Sequence, residues 1–157
     1  KELGVLILTG EYQPETPRID ELAMDDEPYP YIVPVNFGFT MQDDQLVLFF
    51  HGAKVGKKCD LLQKNPHVSF EVEGKQQLIP PNGAASCTAG FAYESVIGQG
   101  IAELAPEEKK EDLLKKLLEH YRIPFQSFSQ AHLERTAVYQ IIVKQYTAKR
   151  RPIPQGR

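Results

Sequence analysis

The chain is poor in the features that would tie it to a scaffold other than its own core. Its two cysteines, Cys59 and Cys87, lie far apart and in no metal-ligand spacing. A disulfide framework and a cysteine metal knuckle are therefore not expected, and the usage fits a reducing cytoplasm. No apolar run approaches the roughly 20 residues of a membrane span. The apolar stretch Val5–Leu8 is too short for a secretory core. Formal net charge is −3, which disfavours nucleic acid as a partner. The glycine and serine fingerprints of P-loops, dinucleotide folds and nucleophile elbows are missing. His67, His120 and His132 have no partners at metal-ligand spacing and read as surface residues. Cys87 has no nearby base or helix start, and Cys59 reads as a small core residue beside Val55 and Leu62.

What is present suits one domain over residues 1–157, with a basic tail at 149–157. Gly4–Thr9 reads as a strand. Residues 11–30, rich in proline and acid, read as a long surface loop or lid. Tyr31–Phe39 reads as a strand with Val33, Val35, Phe37 and Phe39 on one face. Pro34, Asn36 and Gly38 form the other, and Pro34 demands an edge, a bulge or a special site. A hairpin at Asp43-Asp44-Gln45 leads to Leu46–His51, apolar enough to be buried on both faces. A helix over about Val55–Asn65 follows, then an alternating strand around Val68–Val72. Tyr93–Leu104 reads as a strand in which Gly98 and Gly100 signal a bulge or a close backbone approach. Pro106 opens an amphipathic helix with Leu113, Leu114, Leu117, Leu118 and Tyr121 on one stripe. Residues 123–135 form a mixed connection, Thr136–Tyr146 is a last strand, and the tail is expected to fray. About seven strands and two helices in meander-like order predict a small antiparallel barrel with peripheral helices.

The most informative stretch is LVLFFHGAKVGKKCDLLQKNP. It sends a strand into Lys54, Lys57 and Lys58 at the start of a helix. Unpaired helix N–H groups and ammonium groups aimed at one anion are a way to hold a phosphate. A bare K-x-x-K-K is more often a solvated face. The preceding strand and the following helix shift the reading toward phosphate. The hairpin brings Asn36 near His51. Both suit hydrogen bonds to a flat polar ring, and His51 suits proton donation, although a structural histidine at a strand end is an equally good reading. Tyr93, Glu94 and Ser95 reach either a ligand or only a neighbouring strand.

Four blocks carry a resemblance: PYIVPVNFGF, LVLFFHGAKVGKKCDLLQKNPHVSFEV, YESVIGQGIAEL and RTAVYQIIVKQYTAKRR. Together they resemble the pyridoxamine 5′-phosphate oxidase-like flavoproteins, and more narrowly the nitroimidazole-resistance-type branch. The resemblance implies an antiparallel split β-barrel (mostly β, α+β) that binds FMN at a homodimer interface. It implies that Lys54 and Lys57, with Lys58 beside them, hold the FMN phosphate. Val33, Pro34, Val35, Asn36, Phe50 and His51 would line the ring, with His51 as the catalytic candidate. Glu94 and Ser95 would lie near the ring or the partner subunit. The implied activity is electron transfer from a reduced nicotinamide to a small acceptor, nitroaromatics among the candidates. A flavin carrier or sensor and a haem protein of the same fold are the alternatives. The long 10–30 segment departs from the family's usual short hairpin. The arginines that hold pyridoxamine phosphate in true oxidases are not evident, which points away from that substrate.

Overall fold

The computed structural model describes residues 20–74, 76–83 and 85–154. The strand expected at Gly4–Thr9 lies outside them. In chain order the elements are β1 (Asp20–Met24), β2 (Tyr31–Val35), β3 (Phe37–Gln42), β4 (Gln45–Ala53) and α1 (Lys57–Lys64). β5 (His67–Glu73), β6 (Gln77–Ile79), β7 (Gly90–Leu104), α2 (Glu107–His120), α3 (Gln130–Arg135) and β8 (Thr136–Arg151) follow. A short 3₁₀ turn, Ser86–Thr88, precedes β7.

Every ladder is antiparallel, and the strand order is β2-β1-β5-β7-β8-β4-β3, with β6 added beside β7. β2 and β3 stand at opposite ends of that order, yet only Asn36 separates them in the chain. The sheet therefore curls until its two edges share one stretch of chain. The result is an antiparallel split β-barrel with helices outside it. The inward side chains of β1, β4, β5, β7 and β8 fill it, among them Leu22, Phe50, Phe70, Val96 and Ile141.

β4 is buried on both faces, as its composition predicts. Leu48 and Phe50 point into the barrel, while Phe49 points outward into a second cluster with Leu113, Leu114, Leu117 and Tyr121 of the α2 segment. The leucine stripe thus packs a helix on the outside of the sheet. The hairpin falls at Asp43 and Asp44, whose φ of 46° and 64° give the twist a two-residue β-turn needs. Gly98 of β7 lies directly across from Phe70 of β5, and a Cβ at Gly98 would come within 2.3 Å of that ring. The next residues carry the bulge: Gln99 pairs with Gln145 and Gly100 with Val143, leaving Lys144 as the extra residue.

Several expectations need correction. Asp20–Met24 is not loop but a strand between β2 and β5. Its alternating Leu22 and Met24 are buried there, so non-local pairing wins over helix-favouring composition. Tyr31–Phe39 is not one strand. It breaks at Asn36, where the chain passes from one sheet edge to the other. α1 starts at Lys57 rather than near Val55, and Val55 is 81% exposed rather than on the apolar side. The β4 ladder runs to Ala53, and Gly56 then takes φ 121°, a left-handed value incompatible with helix. The tail does not fray at Lys149: β8 continues to Arg151, paired with β7. α3 also lies in the stretch read as a mixed connection, and β6 in a stretch to which no element was assigned.

Candidate cofactor site

The lysine loop leaves β4 at the open edge of the barrel. His51 is the partner of Val138 on one side. On the other side, the β3–β4 ladder ends at Phe37 and Phe50. Asn36 and His51 are the next residues out on each chain, so the hairpin brings them side by side. The Phe37 N–H donates to the Tyr121 hydroxyl at 3.2 Å, which anchors this break to the α2 segment. Asn36, Pro34 and His51 are exposed, whereas Val33 and Val35 pack on the core. Pro34 sits on β2, an edge strand, where its missing N–H costs no ladder bond. Phe50 is 1% exposed and stacks on Tyr139, ring centroids 5.3 Å apart. Its backbone is flanked by Phe37 on one side and Tyr139 on the other, so within one chain Phe50 backs the site rather than facing it.

The three lysines take different surroundings. Lys54 lies in the bend before α1, exposed, in the electrostatic reach of Glu107. Lys57 opens the helix and is exposed. Its Nζ is 2.7 Å from the Asp26 carboxylate and 4.7 Å above the Tyr31 ring. The hydrogen bond that the Lys57 ammonium donates to Asp26 raises its pKa above the ordinary lysine value. Lys58 folds back over β4, with Nζ 5.2 Å from the Phe50 ring. A Cβ at Gly52 would meet that Nζ at 2.7 Å, so a side chain there would push the flexible end of Lys58 aside. Burial pushes the Lys58 ammonium down. Lys54 precedes the helix, so helical spacing does not set it beside Lys57 and Lys58.

The N-cap of α1 is Gly56, and no side chain caps the first turn. The Cys59 thiol donates to the Ala53 carbonyl at 3.2 Å, tying the helix start to the end of β4. The imidazole of His51 is open to solvent on one side and crowded by protein on the other. Burial first, then the Lys58 ammonium, lowers its pKa from the ordinary histidine value. The donor set is three ammonium groups, a helix start without a side-chain cap, an amide and an imidazole. That chemistry fits a phosphate attached to a flat, hydrogen-bonding ring.

Glu94 and Ser95 do not join this group within one chain. The ladders put Leu104 of β7 level with Tyr139, and Tyr139 level with Phe50. Glu94 is ten residues back from Leu104, or roughly 33 Å of strand. There Glu94 accepts from Arg150 Nε at 2.6 Å, and Ser95 is buried.

Sequence reasoning missed Asp26 and Tyr31 as neighbours of Lys57. An acidic run of sign opposite to the lysines was visible, but nothing local links it to a residue 31 positions on. The histidines divide. His67 and His132 are exposed, bonded to Asn65 and Ser129. His120 is not a free surface residue: its ring packs on Phe37, Phe39 and Tyr121. Among the described residues, no group of three or more His, Cys, Asp or Glu side chains could hold a metal ion.

A protein family described as pyridoxamine 5′-phosphate oxidase matches residues 17–150. The chain belongs to this family. Solved structures agree with its barrel. A protein from Bacteroides thetaiotaomicron VPI-5482, named as a candidate 5-nitroimidazole antibiotic resistance protein, is 25% identical over 94% of this chain and 82% of its own, with a TM-score of 0.75. The flavocytochrome Anf3 of Azotobacter vinelandii is 19% identical over 98% of this chain and 68% of its own, with a TM-score of 0.73. An FAD-binding protein from Mesorhizobium loti is 18% identical over 95% and 93%, with a TM-score of 0.62. No curated protein matches the chain. Within the pyridoxamine 5′-phosphate oxidase family, then, this chain carries its lysine loop and exposed Pro34–Asn36–His51 edge on one rim of the barrel. No helix among the described residues is long and apolar enough to cross a membrane.

Proposed function

We propose that the protein is an FMN-binding oxidoreductase that passes electrons from a reduced nicotinamide to a small acceptor, with the flavin at a homodimer interface. The observation that carries this reading is the juxtaposition on one rim of exposed lysines, a helix start without a side-chain cap, and the Pro34–Asn36–His51 edge. Lys54 and Lys57 would hold the terminal phosphate, with Lys58 beside them. Asn36 and the backbone of Val33–Val35 would meet the ring edge, with Phe50 packed behind them. When bound, FMN supplies the redox chemistry. His51 would exchange a proton with the reduced acceptor. Its lowered pKa makes the imidazolium a readier acid and leaves less of it at neutral pH.

The separation between His51 and Glu94 within one chain supports the dimer. A second copy would bring its Glu94 and Ser95 to the first copy's ring. Leu78, Phe91 and Ile97 are each more than half exposed along that reach of β6 and β7, which suits a subunit contact. The similarity to the Bacteroides protein makes a nitroaromatic the acceptor to test first.

The test is the visible spectrum of the purified protein before and after FMN and then NADPH, with the mass measured by light scattering. A flavin spectrum bleached by NADPH in a dimer supports the proposal. A flavin spectrum that neither NADPH nor NADH changes favours a carrier or sensor. A Soret band with no flavin uptake would replace FMN with haem.

A further inference from the structure

The clamp lysine that opens α1 already has an anion. The Asp26 carboxylate lies 2.7 Å from Lys57 Nζ, and the Tyr31 ring supports the same ammonium from below. Asp26 belongs to the tip between β1 and β2, and that tip is held at two points. The neighbouring Asp25 accepts from Asn65 Nδ2 at 2.9 Å, at the other end of α1. β1 itself is clasped between β2 and β5. The acidic tip thus straps the helix, one carboxylate at its start and one at its end.

We infer that Asp26 is a placeholder for the cofactor phosphate: cofactor loading exchanges a carboxylate for a phosphate on Lys57. The inference rests on the proposed phosphate site. A phosphate monoester brings a charge of about −1.5 to −2 and three acceptor oxygens, against one charge and two oxygens for a carboxylate. It therefore displaces Asp26, and the freed carboxylate is repelled by the incoming anion. Asp26 neutralises Lys57 and lowers affinity for every ligand that must use that ammonium. It leaves a flavin without phosphate unaffected. Loading the cofactor also releases the strap at the N-terminal end of α1, while the Asp25–Asn65 bond still holds the other end.

The test uses purified full-length protein titrated with FMN and with riboflavin at low salt, followed by flavin fluorescence. Asp26→Asn should bind FMN roughly two- to fivefold tighter, the range an exposed ion pair allows. Riboflavin affinity should not change. In a Lys57→Ala background the Asp26→Asn gain should vanish, as expected for two residues acting through one contact. Asp26→Ser serves as a second neutral variant if the first does not fold. Unchanged or weaker FMN binding in a folded neutral variant overturns the inference, as does an equal gain for riboflavin. If Lys54→Ala with Lys57→Ala weakens FMN while Asp26→Asn does nothing, the phosphate site stands and only the placeholder falls. If the unaltered protein takes up neither flavin, both fall together.

Discussion

β4 and β2 are both strands of one barrel, and they treat their side chains in opposite ways. Leu46–Phe50 of β4 are buried without exception, inward against the barrel core and outward against the α2 segment. In β2 each half-buried residue alternates with an exposed one. The two regions meet at the hairpin, where Asn36 comes beside His51. The protein thus concentrates packing on one flank and leaves ligand-accessible groups on the other. Stability and binding should be separable by mutation, because few contacts are shared.

The sharpest way to break that separation is at Phe49. Phe49→Ala removes the outward anchor of β4, and should cost about 3–5 kcal/mol, read as a lower urea midpoint. Flavin affinity of the surviving folded fraction should be unchanged. A loss of affinity larger than unfolding explains would show that the packed flank shapes the site.

The reverse experiment is Lys54→Ala with Lys57→Ala. FMN binding should fall roughly tenfold or more through lost charge-assisted phosphate contacts. The urea midpoint should barely move, because both lysines are exposed and the Lys57–Asp26 pair is solvated. A folded double variant with unchanged FMN affinity would sink the phosphate assignment.

Gly98→Ala probes the core between the two flanks. Its new methyl group meets the Phe70 ring, so overpacking should cost about 1–3 kcal/mol in chemical denaturation. A neutral result would mean that Phe70 has room to move.

The smallest effect concerns His51. Its folded pKa is lowered, so the unfolded chain takes up a proton first as pH falls below the ordinary value of 6.5. Stability is therefore fully present above 6.5, and declines as pH drops from there toward the folded pKa. His51→Gln should flatten that decline. By NMR, Lys58→Met should raise the His51 pKa only part of the way, because burial is the larger cause. Complete recovery would make Lys58 the main cause.

Much of the fold was legible because neighbouring residues encode it. Continuous apolar character marked β4, a leucine stripe marked α2, and two glycines marked the bulge in β7. Reading failed where distant partners decide. Asp20–Met24 becomes strand because β2 and β5 flank it, although Glu, Leu, Ala and Met favour helix. Lys149–Arg151 are ordered by β7, and Glu94 meets Arg150, 56 residues on. In the site, the cluster of lysines was visible, but the Asp26 carboxylate on Lys57 was not.

The sequence alone determined the local material: which segments alternate, which helix is amphipathic, and where the cations cluster. These follow from backbone period and side-chain type within a few residues. The tertiary structure alone decided that β2 and β3 occupy opposite edges, that Lys57 answers to Asp26, and that Glu94 lies far from His51 in one chain. Those outcomes depend on how the whole sheet curls to bury its apolar face, which no short window of sequence contains.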